Sequence, residues 1–173
     1  MEIPDNTSGF ITEVLRDAAA KYGIKLIPMQ NMHITLEFLG EISDEKALEV
    51  SDILASFNAK KFIAELGKIS TFGSRSSVAF MSMSKGEAEA IRIHGVLHHK
   101  LSALRGIKLE ERAFFPHISI ARGSPRNLNA FADGVSAKWG GSDPFTISSL
   151  TFKKSVLGGT NARYETIFGK VLS

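Results

Sequence analysis

Two tetrapeptides constrain this chain more than anything else in it: His33-Ile34-Thr35-Leu36 and His117-Ile118-Ser119-Ile120. Each reads histidine, apolar, hydroxyl, apolar. In an extended strand successive side chains point to opposite faces, with a rise of roughly 3.3 Å per residue. Each segment therefore sets an imidazole and a hydroxyl side by side on one face, while its aliphatic residues turn toward a core. Two such strands facing one another across a cleft would pair two proton-transfer groups and flank them with two donors for an anion. A single tetrapeptide of this kind arises readily by chance, as a half-buried strand histidine. Two copies in matching strand contexts, flanked by Asn31-Met32 and Phe115-Pro116, do not.

The surrounding pattern supplies those contexts. Asn6, Thr7 and Ser8 offer an N-cap for a first helix, in which Phe10, Ile11, Val14, Leu15 and Ala18 keep helical spacing up to a stop at Gly23. Lys25–Pro28 reads as a short strand and Met32–Phe38 alternates as a second. Ser43, followed by Asp44 and Glu45, opens a helix with an apolar face of Ala47, Val50, Leu54 and Phe57. Strands are expected over 61–70 and 77–83, joined at Gly73-Ser74-Arg75-Ser76. A helix spans Glu87–Leu104, a strand 117–121, and a shorter helix runs from Pro125 to Ala132. Two closing strands fall near 145–152 and 164–171. No low-complexity linker interrupts this order. The fold class is α+β: one two-lobed domain over 1–173, each lobe an antiparallel sheet with helices outside it, and a cleft between them.

Composition narrows the function classes. Hydrophobic residues make up 43% of the chain and charged residues 23%, ordinary for a globular protein. No stretch approaches the roughly 20 apolar residues that span a bilayer. Met1–Asp5 has neither the basic start nor the apolar run of a secretion signal, so no membrane partner and a cytoplasmic location are expected. The absence of cysteine rules out disulfides, thiol nucleophiles and zinc-thiolate centres. The net charge of +3 is unevenly spread: residues 1–57 hold four Lys/Arg against ten Asp/Glu, whereas 58–120 hold ten against five and 121–173 seven against three. Such asymmetry suits a polyanionic partner, and equally a set of solvated faces.

A neutral imidazole and a protonated one together meet the needs of cyclic phosphodiester hydrolysis. One takes a proton from water on one side of phosphorus, and the other gives a proton to the departing oxygen opposite. Thr35 and Ser119 would stabilise charge on the non-bridging oxygens. The strained ring removes any need for a metal or other cofactor.

Other residues invite functional readings of less weight. His94 and His98 stand i, i+4 on the expected helix, but a zinc-protease motif needs Glu at 95, where the chain has Gly95. With no third ligand evident, the pair reads as a solvated helix face. Arg122 and Arg126 could neutralise phosphate, but Arg122 lies at an odd offset from His117, and a regular strand would turn it away from the cleft. Tyr164 and Phe72 could stack on a base, though rim packing is the plainer role. Glu37 shares parity with His33 and Thr35. Trp139, beside Gly140-Gly141, reads as a loop residue.

Asn31–Gly40 and Phe115–Arg122, with Ser155-Val156-Leu157-Gly158-Gly159 and Tyr164-Glu165, resemble the RNA 2′,3′-cyclic phosphodiesterases, formerly called 2′-5′ RNA ligases, of the two-histidine (HXTX) phosphoesterase superfamily. The likeness covers nearly the whole chain, and Ser119 keeps the hydroxyl where the second motif often has Thr. The resemblance implies hydrolysis of a terminal 2′,3′-cyclic phosphate of RNA to a 2′-phosphate, with His33 as proton donor, His117 as proton acceptor, and Thr35 and Ser119 holding the phosphate. RNA ends, tRNA fragments among them, would be the partner of a monomeric enzyme, and a reverse 2′-5′ ligation is conceivable on the same groups. Members usually open with an apolar strand before an Ile/Leu-Pro pair. This chain starts at Met1-Glu2-Ile3-Pro4, where that strand would be ending: either the chain is shortened or its true start lies upstream, and if the strand is absent the sheet beside the cleft lacks a member. Rival readings are a phosphodiesterase for a small cyclic nucleotide or ADP-ribose cyclic phosphate, and a non-catalytic module binding RNA ends.

Overall fold

Helix α1 (Asp5–Tyr22) buries Ile11, Leu15 and Ala19 at four-residue spacing and ends where Gly23 takes a left-handed conformation at φ 60°. It starts earlier than expected, because Pro4 holds the extended conformation of an N-cap, and the chain is already helical at Asp5. Thr7 and Ser8 lie buried in the first turns, and the Ser8 hydroxyl donates to the Asp5 carbonyl at 3.1 Å. After β1 (Lys25–Leu26) and a 3₁₀ turn at Met29–Asn31, α2 (Asp44–Ala55) is capped by Ser43, whose hydroxyl accepts from the Lys46 amide at 3.3 Å. The remaining elements are β2 (Phe62–Thr71), β3 (Val78–Lys85), α3 (Glu87–Ser102), β4 (His117–Arg122), α4 (Pro125–Ser136), β5 (Phe145–Ile147), β6 (Ser149–Val156) and β7 (Arg163–Val171). This computed structural model describes residues 1–72, 75, 77–156 and 163–173. Gly73, Ser74 and Ser76 of the expected turn, and Leu157-Gly158-Gly159 of the tail motif, lie outside them.

Antiparallel pairing orders five strands as β1-β4-β3-β2-β5, and β6 and β7 form a separate two-stranded sheet. Sheet membership crosses the middle of the chain: β4 and β5 join strands from the first half. Helix α4 lies on β2 and β3 and against α1, while α2 lies over β7. Leu66, Met81, Ile118 and Ile120 from the sheet and Ile11, Leu15, Leu128 and Phe131 from the helices are fully buried in one core. Among the described residues, no helix is long and apolar enough to cross a membrane.

The expected strand over Met32–Phe38 shrinks to two residues. The predicted burial holds at Met32 and Ile34, weakens at Leu36, which is partly buried, and ends at Phe38, which is exposed. Only two isolated bridges form, however: Glu2 with His33, and Ile34 with Ile118. Among the described residues, no further bridge extends this ladder beyond Ile34 and Ile118. Residues 1 and 2 tie this segment to the two-stranded sheet. Ile34 N–H donates to the Met1 carbonyl at 3.0 Å and Glu2 N–H to Ser149 at 3.4 Å.

Candidate active site

The bridge between Ile34 and Ile118 brings the two motifs together. Both isoleucines point into the core with no exposed surface. The antiparallel register then sets His33 opposite Ser119, and Thr35 opposite His117, on the other face. Directly opposed side chains start about 4.5–5.5 Å apart and diagonal ones roughly 7–8 Å apart. In that register the imidazoles occupy one diagonal of this square and the hydroxyls the other.

The same local device orients both rings. His33 Nδ1 lies 2.9 Å from the Asn31 carbonyl and His117 Nδ1 lies 2.8 Å from the Phe115 carbonyl, each two residues upstream. A carbonyl only accepts, so Nδ1 carries the proton in both. In a neutral ring this leaves the Nε2 lone pair free to accept from water. In a charged ring Nε2–H becomes the donor.

The surroundings of the two histidines differ. On the His33 side, Tyr164 of β7 meets the ring edge-to-face at 5.1 Å. Lys153 of β6 reaches Glu2 at 2.9 Å, and the Thr151 hydroxyl donates to the same Glu2 carboxylate. Burial first, then the positive charges of the Met1 amino group and Lys153, push the His33 pKa down to about 4. His117 instead stands in an aromatic cluster: Phe72 and Phe80 meet it edge-on at 4.9 and 5.5 Å, and Phe115 lies parallel at 6.1 Å. Phe72 is 52% exposed and Phe115 40%, so this cluster presents apolar rings to solvent beside the reacting groups. Tyr164 and Phe72 thus both touch a motif histidine. Their long separation from it along the chain leaves nothing in the local pattern to reveal the contact.

A pocket of about 220 Å³ runs from Thr35 and His117 past Glu37 and His94 to Phe114 and Arg112. The reading of His94 and His98 as a solvated helix face is overturned here. Ile93, Leu97 and Leu101 form the buried stripe of α3, and His94 and His98, one position on, meet Glu37. Glu37 Oε1 lies 2.8 Å from His94 Nε2 and 2.6 Å from His98 Nδ1, with only 5% of the Glu37 side chain exposed. His94 also stacks on Phe114 at 4.1 Å. Its pKa is lowered, chiefly by burial and further by His98, with Glu37 opposing. Among the described residues, these three could hold a cation, their ligand atoms all within 4.8 Å of one another.

One further expectation changes, and one loop residue gains partners. The β3–β4 register slips between Ala79 and Phe80, so that Ser119 pairs with Phe80 but Ala121 with Ala79. This bulge reverses the alternation, and Arg122 returns to the sheet face that carries Ser119. Trp139 is anchored, its indole N–H donating to the Gly67 carbonyl at 2.7 Å and its ring 6.1 Å from Phe10.

The chain is similar to known proteins over its whole length. A family profile described as LigT like Phosphoesterase matches residues 3–80. The RNA 2′,3′-cyclic phosphodiesterase of Aeropyrum pernix is 31% identical over 161 residues, 89% of this chain and 90% of that protein. The protein of the same name from Methanocaldococcus jannaschii is 32% identical over 122 residues, 70% of this chain and 68% of that protein. A crystal structure described as a phosphoesterase superposes with a TM-score of 0.78 at 20% identity, covering 100% of this chain and 95% of the other. E. coli LigT complexed with 3′-AMP superposes at 0.77 and 21% identity, with 100% and 95% covered. Together with the paired His-x-Thr/Ser motifs on one cleft face, these likenesses establish that the chain belongs to the family of LigT-like phosphoesterases and RNA 2′,3′-cyclic phosphodiesterases.

Proposed function

We propose that this protein hydrolyses a 2′,3′-cyclic phosphate at the end of an RNA strand, leaving a 2′-phosphate and a free 3′-hydroxyl. The observation that carries the reading is the Ile34–Ile118 bridge, which sets His33, Thr35, His117 and Ser119 on one face. His117 Nε2 is the proton acceptor: it takes a proton from water as the water oxygen bonds to phosphorus. The bond from phosphorus to O3′ breaks, and His33 Nε2–H is the donor that protonates the departing oxygen. Thr35 and Ser119 donate to the non-bridging oxygens, where negative charge grows. None of these steps requires a metal ion or cofactor.

The depressed pKa of His33 adds a condition. With its pKa near 4, the ring of the free enzyme is neutral at pH 7. A phosphodiester entering the cleft brings negative charge beside the ring, offsetting Lys153, so His33 takes up its proton together with the substrate. The same groups working in reverse would join a 2′-5′ linkage. Fragments with cyclic ends, such as cleaved tRNA, fit as substrates of a monomeric enzyme acting in the cytoplasm.

The test is incubation with oligonucleotides ending in 2′,3′-cyclic phosphate, with and without EDTA, reading the position of phosphate in the product. A 2′-phosphate formed equally well in chelator is expected. His33→Ala and His117→Ala should each lower kcat by about 10²–10⁴-fold while leaving the fold intact. Near-normal turnover by both variants would overturn the reading.

A further inference from the structure

We propose that Glu37, His94 and His98 form a binding site for a divalent transition-metal ion of the zinc class, opening onto the pocket that contains Thr35 and His117 but separate from the hydrolytic groups. Three observations converge. The donor set, two imidazoles and one carboxylate, is the set that protein zinc sites with an open fourth position use. Imidazole nitrogen favours Zn²⁺ and its neighbours over Mg²⁺ and Ca²⁺, which prefer oxygen. The donors are already gathered from two distant segments, with Glu37 Oε1 at 2.8 Å from His94 Nε2 and 2.6 Å from His98 Nδ1.

The carboxylate–imidazole contacts open on binding, while the two imidazole nitrogens, within 4.8 Å of one another, settle to the same spacing. Ligand bonds of about 2.0–2.2 Å in a tetrahedral site require donor atoms roughly 3.4 Å apart. Each carboxylate–imidazole contact therefore opens by about 0.6–0.8 Å, as the cation replaces the hydrogen bonds between them. In the metal-free cluster both imidazoles give their hydrogens to one oxygen. Binding requires each ring to offer a lone pair at that nitrogen and carry its proton on the other, a tautomer change that costs no net charge. The stacking of His94 on Phe114 fixes the plane of one ligand in advance. Glu37 and His94 both line the pocket, so the open position faces it, where water or a phosphate oxygen can fill it. His94 and His98 stand one turn apart on α3, and Glu37 follows Thr35 by two residues.

The site is tested by titrating chelator-stripped protein with ZnCl₂ in a calorimeter. One equivalent is expected to bind, and His98→Ala and Glu37→Gln should each weaken binding at least tenfold. The cluster is partly exposed at His98, so His98→Ala is the variant on which the result rests if Glu37→Gln fails to fold by circular dichroism. Because His33 and His117 also offer imidazole nitrogens, the double variant His33→Ala/His117→Ala is titrated in parallel. Its affinity should match that of the unaltered protein. Loss of zinc binding in that double variant with retention in His98→Ala would place the ion at the hydrolytic pair and overturn the proposal. Failure of the unaltered protein to bind zinc more tightly than His98→Ala would do the same. Hydrolysis in EDTA bears on the proposed reaction alone, so either idea can fail without the other.

Discussion

At the scale of single residues, two chemically identical side chains stand in opposite environments. His33 is enclosed and faces positive charge, while His117 sits against phenylalanine rings. The His33 Hε1 resonance, followed by NMR, should therefore titrate near pH 4 in the free protein and move to higher pH when inorganic phosphate or a 2′-nucleotide is added. A midpoint unmoved by either anion would break the link between substrate charge and proton uptake. The hydroxyls make a second residue-scale prediction. Thr35→Val keeps the shape of the side chain and removes the donor, so kcat should fall by about 10²-fold with little change in stability. Steady-state kinetics on a cyclic-ended oligonucleotide checks it.

At the scale of elements, α3 offers a contrast between two of its glycines. Gly86 caps the helix at φ 80°, and a methyl group there would meet the Ile63 carbonyl at 2.8 Å and the Phe62 ring at 2.9 Å. Gly86→Ala should destabilise the protein by about 1–3 kcal/mol, since both the backbone conformation and the neighbours resist it. Gly95 lies mid-helix, and a methyl group added there would meet nothing within 4 Å. Gly95→Ala should stabilise by about 0.5–1 kcal/mol through lower chain entropy in the unfolded state. Denaturant unfolding of the two variants gives both signs in one experiment. The paired motif strands depend on Ile34 and Ile118, and Ile118→Ala should cost about 2–5 kcal/mol as a fully buried truncation. Its activity should fall as well, because the bridge that aligns the hydroxyls with the imidazoles loses its packing.

For the whole molecule, His33 couples stability to pH. Its folded-state pKa of about 4 lies below the ordinary 6.5, so the unfolded chain binds the proton more tightly. The neutral buried ring is tolerated fully above pH 6.5, and stability is lost as pH falls from about 6.5 toward 4, levelling off below. The loss due to this group is about 3 kcal/mol. Comparing pH series of unaltered protein and His33→Gln isolates it, since carboxylates titrate in both. RNA binding should respond to the charge carried beyond residue 57. If several phosphates are contacted, affinity falls linearly with the logarithm of salt, whereas a small cyclic nucleotide gives a shallow slope.

The paired histidines are legible in the sequence because strand alternation is a local rule. Four residues suffice to say that His33 and Thr35 share a face, and likewise His117 and Ser119. Helix periodicity places α1, α2, α3 and α4 for the same reason, with errors at termini such as Pro4–Asp5, where capping is a matter of one backbone angle. Alternation names the face a side chain occupies, not what stands opposite it. It puts Glu37 on the face of His33, and helical spacing puts His94 and His98 on one face of α3, but the contact of Glu37 with His98 joins residues 61 positions apart. The same holds for Tyr164 against His33 and Phe72 against His117. The chemistry of the pair is thus written in short-range periodicity, whereas the charges, the rings and the cluster of cation donors beside it are chosen by long-range packing, which depends on how whole elements fill space around a common core.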